Sequence, residues 1–372
     1  MSQWKEYKLG DLCAIFDGPH ATPPKQKTGN IFLGISSLGF DGRIDSSFFE
    51  YISDEHFTRW TKRVEPSEND IVFSYETKLG VAAIIPKGFK CALGRRMGLL
   101  RVKANVNPKI LLYAFLAPSF QSVIYERTYH GSTVDRIPLK ELGQFPILLP
   151  PLSQQKAIAS ILSSLDDKID LLHRQNTTLE KMAETLFRKW FVEEAKEEWE
   201  NGSLIDVLEL IYGKALKEEI RTGTGYPVVG SSGIVGYHSE YLVEGPGIVI
   251  GRKGTLGKVN YLFDNFFPID TTYFIKSKND SEGLFYEYFL LKSMNFEEMN
   301  SDSAVPGLNR DIALSTEIKV PPFKRVKEFN KYCSSLFDKL KANQTQIRTL
   351  TTLRDNLLPK LMSGEVKVQA KG

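Results

Sequence analysis

The stretch PPLSQQKAIASILSSLDDKID, residues Pro150–Asp170, opens a segment that the chain contains twice. Pro150–Phe191 aligns without a gap on Pro321–Met362 at an offset of 171 residues, and 13 of the 42 aligned positions are identical. Such a repeat has to be recognised before anything else, because it determines the architecture of the whole chain. Two copies of one segment predict a pseudo-two-fold molecule that meets a two-sided target.

Apolar residues recur in both copies at alternating steps of three and four, which is typical of a coiled-coil seam. Each copy follows a Pro-Pro pair, and proline disrupts helix interiors, so we predict two long helices that begin there. Pro359 is expected to end or kink the second helix. The predicted seam and partner-docking residues are Leu165, Ile169, Leu172, Asn176, Leu179 and Leu186 in the first helix, and Leu336, Leu340, Asn343, Ile347, Leu350 and Leu357 in the second.

The two helices are expected to pair with each other, because both seams lie in one chain. An antiparallel pair would relate the repeats by a pseudo-two-fold axis, and roughly 35 helical residues would make a rod of ~50 Å. Asn176 and Asn343 each interrupt a seam. A buried asparagine would fix register and orientation at a cost in stability, whereas the alternative is that each faces solvent at the edge of its seam.

The regions before the helices correspond more loosely. Trp4–Gly18 matches Trp199–Gly213 at an offset of 195, and Ile71–Gly80 matches Ile248–Gly257 at an offset of 177. Short β-rich runs bounded by glycine, proline and asparagine alternate with helical stretches, which predicts a mixed α/β (α+β) fold. We therefore predict two tandem domains joined and followed by the two helices, with boundaries at residues 1–150, 151–195, 196–320 and 321–372.

Composition sets broad limits on the function. The net charge of +3 permits nucleic-acid binding without demanding it. Three cysteines without metal-ligand spacing argue for a reducing compartment. The amino terminus carries no secretory h-region and no run approaches the length of a membrane span, so we expect a cytoplasmic protein that does not contact membranes.

Motifs for catalysis are mostly missing. Gly251–Lys258, GRKGTLGK, has the wrong spacing for a phosphate-binding loop, and the five histidines have no zinc spacing. Asp70, Glu76 and Lys78 faintly resemble the core of a metal-dependent nuclease. The matching positions in the second copy are Gly247, Lys253 and Thr255, which carry no carboxylate, so the sequence predicts no metal and no catalytic residue.

Polar and basic loops are the remaining candidates for function. Gly251–Lys258 is a glycine-rich basic turn between two strands, in which arginine and lysine could contact phosphates or guanine edges. The first domain offers Lys78 with Arg95 and Arg96, which align on Thr271 and Thr272 at an offset of 176. The predicted DNA-binding residues are Lys78, Arg95, Arg96, Ser231, Ser232, Arg252, Lys253, Thr255, Lys258, Thr271, Thr272, Asn309 and Arg310.

The chain as a whole resembles the specificity subunit of a type I restriction-modification system. The resemblance rests on the order domain, Pro-Pro, helix, repeated twice, and on the local wording of Pro150–Asp170, Gly251–Gly257, Ser303–Arg310 (SAVPGLNR) and Leu357–Val366 (LLPKLMSGEV). The first domain departs from the pattern, because it has Asp135-Arg136-Ile137 where the second has Pro306-Gly307-Leu308.

The resemblance implies a non-catalytic subunit with two target-recognition domains, each reading half of a split, asymmetric double-stranded DNA site. The helices would act as a ruler that allows roughly 15 base pairs between outer contacts. Two modification subunits would dock on the repeats and bring S-adenosylmethionine for adenine methylation. Where present, two restriction subunits would bring ATP and Mg²⁺, so no cofactor is expected on this chain.

Three alternatives stay open at this point. A recognition subunit of a related bipartite system, in which cleavage and methylation share one partner polypeptide, would have a similar sequence. A nuclease would use Asp70, Glu76 and Lys78. A purely structural coiled-coil adaptor would give no DNA protection even when its partners are present.

Overall fold

The computed structural model describes residues 4–131, 134–278, 283–296 and 307–368. The chain forms two compact units. The first unit comprises Met1–Asp170 together with Arg348–Gly372, and the second unit comprises Leu171–Ile347. Each unit therefore contains one domain and one segment from each of the two long helices.

The domain of the first unit combines three small sheets with helices. Its strands are β1 Lys5–Lys8, β2 Cys13–Asp17, β3 Asn30–Leu33, β4 Glu50–Ile52, β5 Ile71–Ser74, β6 Ala82–Ile84, β7 Cys91–Leu93, β8 Met97–Val102 and β9 Pro146–Leu149. Its helices are α1 Leu9–Leu12, α2 Asp54–Trp60, α3 Pro108–Leu116, α4 Pro118–Glu126 and α5 Leu139–Leu142. The strand orders are β2-β8-β5-β6, β4-β3-β7 and β1-β9.

The first long helix, α6, runs from Leu152 to Arg188 and continues as one π-helical turn over Lys189–Glu193. In the second domain the strands are β10 Glu200–Ser203, β11 Leu208–Tyr212, β12 Tyr226–Gly230, β13 Gly233–His238, β14 Gly247–Gly251, β15 Val259–Leu262, β16 Phe267–Pro268, β17 Thr272–Ser277 and β18 Glu317–Val320. The helices that follow α6 are α7 Leu204–Val207, α8 Phe285–Ser293, α9 Arg310–Leu314 and the second long helix, α10, Phe323–Ser363.

The second domain repeats the plan of the first. Its sheets have the orders β11-β17-β14-β15, β13-β12-β16 and β10-β18. The four-stranded sheets match strand for strand, because β2, β8, β5 and β6 take the places of β11, β17, β14 and β15. This confirms the mixed α/β fold with one scaffold used twice, as predicted from the spaced matches in the sequence.

The cores are built from the repeated elements. In the first unit α3 buries seven consecutive residues, and Phe115 lies 5.6 Å from Phe73 on β5, measured between ring centroids. In the second unit Phe187 of α6 contacts Phe289 of α8 and Phe329 of α10, at 6.1 and 6.0 Å. In the first unit Ile158 and Leu162 of α6 and Leu361 of α10 are buried in the same apolar cluster as Phe115, so in both units apolar side chains join the domain to its helix segments.

The helix segments are antiparallel where contacts define their direction. In the second unit Asn176 contacts Asn343, and eleven residues further along α6 Phe187 contacts Phe329, which is fourteen residues earlier on α10. All twelve predicted seam residues are buried or half-buried. Supercoiling of the pair stays a prediction.

Pro359 does not end the second helix. The helix α10 continues past it to Ser363, so of the two expected outcomes the stop does not occur, and a kink stays a prediction. A proline cannot donate the helical hydrogen bond to the backbone carbonyl four positions earlier, which here belongs to Asp355. Asp355 is exposed, and its side-chain carboxylate pairs with Arg354. Among the residues that the structure describes, no helix is both long and apolar enough to cross a membrane.

Candidate nucleic-acid interface

The two four-stranded sheets present equivalent loops at one edge, and strand register shows which residues correspond. Gly98 pairs with both Asp17 and Phe73, whereas Tyr273 pairs with both Tyr212 and Ile250. Gly98 and Tyr273 are therefore equivalent, at an offset of 175 rather than the predicted 176. The alignment of Arg95 and Arg96 on Thr271 and Thr272 was wrong by one residue, because strand register cannot be read from a single sequence.

One turn is conserved in shape between the two edges. Ser74 N donates to Val81 O in the first unit and Gly251 N donates to Lys258 O in the second, both at 3.0 Å. Thr77 and Gly254 occupy the same left-handed position, with φ of 68° and 81°. A non-glycine residue is disfavoured there by roughly 1–2 kcal/mol, so the fold enforces this turn in both domains.

A second segment of the chain donates a backbone hydrogen bond to each turn. Ile137 N donates to Tyr75 O at 2.9 Å, and Leu308 N donates to Arg252 O at 3.0 Å. Asp135-Arg136-Ile137 therefore takes the place of the segment ending at Leu308, although the two sequences differ. The residues directly before these segments, 132–133 in the first unit and 303–306 in the second, lie outside the described residues.

The first edge carries carboxylates. Asp17 at the end of β2 accepts hydrogen bonds from Tyr75 Oη at 3.1 Å and from His20 Nε2 at 2.8 Å. Burial, together with the Asp17 charge, raises the pKa of Tyr75, so its phenol remains a donor. Glu76 forms an ion pair with Arg96, which has a left-handed backbone. Lys78 and Arg95 are exposed at the same edge.

The second edge carries a stacked arginine instead. The Arg252 guanidinium lies 5.0 Å from the Tyr212 ring centroid and 5.7 Å from that of Tyr273. Arg252 Nη1 also donates to the Asp270 carbonyl at 2.8 Å. Burial raises the pKa of Tyr273 to about 12. Stacking between a cation and aromatic faces orders the guanidinium, which is half-buried at the base of the turn.

Several predicted residues of the second unit come together around this turn. Lys253 and Thr255 are exposed at its tip, and Lys258 Nζ donates to Ser232 O at 2.6 Å. A Cβ added at Gly254 would lie 3.3 Å from Ser231 Oγ, so the tip packs against the β12–β13 hairpin. The basic turn and the serine pair thus form one surface.

Other predicted residues serve the fold in this structure. Thr272 is buried and its Oγ1 donates to Ile269 O at 2.7 Å, whereas Thr271 beside it is half-buried. Asn309 caps α9 through Oδ1, and Arg310 Nε donates to Leu210 O at 2.7 Å. Their part in DNA contact stays a prediction, to which these bonds add nothing.

Two side chains at these edges, Tyr212 and Asp17, were not among the DNA-binding residues predicted from the sequence. Tyr212 is 51% exposed beneath Arg252, and Asp17 occupies the equivalent position in the first unit. Both directly precede a matched glycine, Gly18 or Gly213, and this signal could have been read from the sequence. The exposed hairpin residues Ile234, Val235 and Tyr237 carried no comparable signal.

The structure contradicts the nuclease alternative. Asp70 is buried at the start of β5, where Arg101 donates to both of its carboxylate oxygens at 3.1 and 2.7 Å. Glu76 lies beyond the other end of this strand, whose four residues alone span roughly 13 Å at ~3.3 Å per residue. One ion cannot bind both. Among the described residues no cluster of histidine, cysteine, aspartate and glutamate could hold a metal.

Two copies of one domain, with different chemistry at the same edge and long helices behind them, define a paired recognition protein. A family model described as the type I restriction modification DNA specificity domain matches residues 1–181 and again 196–352. The chain belongs to this family. It is a type I specificity subunit, a recognition component without catalytic activity of its own.

Individual relatives agree with this assignment. The chain is 26% identical over 307 residues to the type I restriction enzyme MjaIX specificity subunit of Methanocaldococcus jannaschii, covering 72% of this chain and 71% of the relative. It is 23% identical over 409 residues to the putative MjaX specificity subunit of the same organism, covering 98% and 94%. The crystal structure of the S subunit from M. genitalium shares the fold, with a TM-score of 0.55, 21% identity and coverage of 97% and 96%.

Proposed function

We propose that the chain binds a bipartite, asymmetric double-stranded DNA site, with one domain reading each half. The observation that supports this proposal most is that the two edges share one backbone arrangement but carry different side chains. Where the first edge has Asp17, Tyr75 and Glu76, the second has Tyr212, Arg252 and Lys253. Edges that share a shape but differ in charge fit two half-sites of different sequence.

Each edge offers groups that suit base readout in the major groove. Arginine donates in bidentate fashion to guanine O6 and N7, and a carboxylate accepts from cytosine N4. Arg252 is ordered by its stacking, and Arg96 is oriented by Glu76. Lys78, Arg95, Lys253 and Lys258 would contact phosphates, which position the protein without specifying sequence.

The repeated helices would carry the other subunits of the complex. Two modification subunits would dock on the repeats and supply S-adenosylmethionine for adenine methylation, and restriction subunits would supply ATP-driven cleavage with Mg²⁺. The antiparallel helices would set the gap between the half-sites. Family membership and the internal repeat support this part of the proposal.

Mapping adenine methylation across a genome tests the proposal. The chain is co-expressed with its modification partner, and methylated sites are located by single-molecule sequencing. The expected result is one split motif with a fixed gap. An intact complex that methylates no such motif, and gives no DNA protection, would support the structural adaptor instead. A partner that also carries the cleavage activity would identify the related bipartite system.

A further inference from the structure

The tip of the β12–β13 hairpin exposes apolar side chains beside the basic turn of the second unit. Ile234 is 55% exposed and Val235 is 37% exposed, both near the start of β13. The hairpin contacts the turn directly, because Lys258 Nζ donates to Ser232 O at 2.6 Å. The apolar tip therefore belongs to the same edge as the residues proposed to contact DNA.

Apolar side chains on this strand are exposed although the position is unfavourable for them. The strand β13 is the outer strand of its sheet, whose order is β13-β12-β16. Exposed apolar residues on an outer strand promote aggregation, and contiguous apolar patches on a surface mark contact sites. Ile234 and Val235 are followed by Tyr237, which is 43% exposed. Such a patch indicates that the hairpin meets another molecule.

The backbone of β13 is covered where it carries this patch. Arg221 Nη1 donates to Val235 O and Gly223 N donates to Tyr237 O, both at 3.0 Å. A strand from another protein would need these carbonyls in order to pair with β13. The contact that the hairpin offers is therefore made by side chains and not by added β-pairing.

Ile234 is the more available of the two side chains at the tip. Val235 packs over its own hairpin, since its Cγ1 lies 3.2 Å from the position that a Cβ at Gly230 would take. Ile234 is more exposed and directly follows Gly233, whose φ of 124° is a conformation that glycine adopts readily. The glycine in the turn thus sets the place of Ile234 at the edge.

The first unit is built differently at the equivalent place. The strands β3 and β12 correspond, because each pairs in parallel with a later strand, β7 or β16. After β3 the chain runs through residues 34–49 before β4 begins, and within this segment Arg43 forms ion pairs with Asp166 and Asp170 of α6. The repeat therefore supplies no equivalent of Ile234, and its effect is expected in one half-site only.

The surroundings of the tip favour DNA as the occupant. Lys253 and Lys258 are exposed beside it, and lysines that contact phosphates would bring base edges to the same surface. The apolar group that a base pair presents in the major groove is the C5-methyl group of thymine, which apolar side chains contact. An isoleucine between phosphate-binding lysines has thymine as its natural target.

We propose that Ile234 recognises the methyl group of one thymine in the half-site that the second domain reads. The proposal rests on the proposed function, because it names a base contact made by the same edge. Loss of one methyl contact should weaken binding about three- to tenfold, which is the contribution expected from burial of one or two such groups.

Replacement of thymine by uracil provides the test, because uracil pairs as thymine does but lacks the methyl group. The complex of the chain with its modification subunit is bound to probes of the mapped motif, with deoxyuridine at one thymine position at a time. We expect one position to weaken binding about three- to tenfold. The variant Ile234→Ala should bind the thymine and uracil probes equally. Ile205→Ala, at an isoleucine that is 45% exposed on α7, is the matched control and should retain the difference.

The possible failures can be told apart. Intact binding that ignores uracil at every position, a half-site made only of G·C pairs, or a uracil effect that Ile234→Ala retains would overturn the proposal. Equal weakening of all probes by Ile234→Ala, with an unchanged melting curve, would replace methyl recognition by insertion between base pairs. Release of the modification subunit by this variant would assign the tip to a protein contact. Absence of sequence-specific binding by the unmodified complex would count against the proposed function itself.

Discussion

Asn343 Nδ2 donates a hydrogen bond of 2.9 Å to Asn176 Oδ1, so the asparagines of the two predicted seams face each other inside the second unit. Asn343 is 1% exposed, which excludes the alternative that it faces solvent. Buried asparagines lower stability but define which residues oppose each other. At the offset of 171 residues Asn343 corresponds to Leu172, so a pair of two α6 helices in this register would set Asn176 against leucine.

The asparagine pair should therefore control pairing more than stability. We expect Asn176→Leu with Asn343→Leu to unfold at a higher temperature than the unmodified chain, but to form more chain-swapped dimers as concentration rises. Asn343→Leu alone should be less stable than the double variant by about 1–3 kcal/mol, because it leaves the Asn176 amide without its partner. Denaturant unfolding and light scattering measure the two effects. An unchanged distribution of oligomers in the double variant would contradict this role.

In the first unit, a buried ion pair joins the segments of α6 and α10, where the second unit has the asparagine pair. Arg354 is 5% exposed and donates to Asp166 Oδ1 at 3.3 Å, and Tyr113 donates to the other Asp166 oxygen at 2.6 Å. We expect Arg354→Met to destabilise the protein by at most about 3–5 kcal/mol at neutral pH, because it removes one of the two guanidinium groups, those of Arg354 and Arg43, that offset the buried Asp166 charge. Exposed Arg174→Met, on α6, is the control and should change stability little.

The pH dependence of this loss follows from Asp166. Burial raises the pKa of the Asp166 carboxyl, against the opposing effects of Tyr113 and Arg354. Without Arg354 the pKa should rise further, so the folded variant takes up a proton more readily than the unfolded chain as pH falls. The deficit of Arg354→Met should thus shrink from neutral pH toward the ordinary pKa of aspartate. Urea unfolding across this pH range measures the stability deficit of the variant. A deficit that grew on acidification would contradict a raised pKa of Asp166.

Two glycines permit close approach at the recognition edges. A Cβ at Gly213 would lie 2.1 Å from Ile269 O, and one at Gly18 would lie 2.3 Å from Met97 O. We expect Gly213→Ala to weaken recognition of one half-site and Gly18→Ala that of the other, each with a stability loss of roughly 1–3 kcal/mol. Gly34→Ala is the matched control, since no atom lies within 4 Å of its added Cβ. Binding to DNA probes altered in one half-site at a time measures the change in recognition. Melting curves measure the loss of stability. Equal losses on both halves would argue against separate edges.

The stacked arginine should specify bases, whereas the exposed lysine beside it should not. Arg252→Lys retains the charge but loses the stacking on Tyr212 and the bidentate geometry, so we expect discrimination at one position of one half-site to fall by about 1–3 kcal/mol. Lys253→Ala should weaken binding to all sequences alike and lower the salt dependence. Competition assays at several salt concentrations distinguish the two effects. Uniform weakening by Arg252→Lys would reassign this arginine to phosphate contact.

The sequence predicted the long-range architecture better than the details of the edges. The twelve seam residues predicted from heptad spacing are all buried or half-buried, because a helical period of apolar residues marks the side of a helix that packs. It could not show that Arg354, at a polar seam position, would pair with Asp166, or that Tyr113 would donate to the same carboxylate, since Asp166 and Tyr113 lie about 190 and about 240 positions before Arg354 in the chain. Contacts over such separations depend on the fold and not on local pattern.

At the edges, the candidate residues were chosen by side-chain type, but the sequence did not show how the strands of the two domains align. The offset between the domains changes from 195 to 177 and then to 175 along the strands, and only hydrogen-bond register fixed the last value. Thr272, Asn309 and Arg310 were predicted as contact residues from their chemistry, and in the structure each also bonds the backbone: Thr272 at the Ile269 carbonyl, Asn309 as the cap of α9 and Arg310 at the Leu210 carbonyl. A polar side chain beside a functional loop serves either purpose, and sequence alone does not separate them.

Exchange of one domain shows whether the two domains recognise DNA independently. Residues 199–320 are replaced by the corresponding segment of a family member with another target, the modification subunit is co-expressed, and methylated motifs are mapped across the genome. We predict that one half-site changes while the other half-site and the gap stay as they were. A change in both half-sites, or in neither, would contradict recognition by two independent domains.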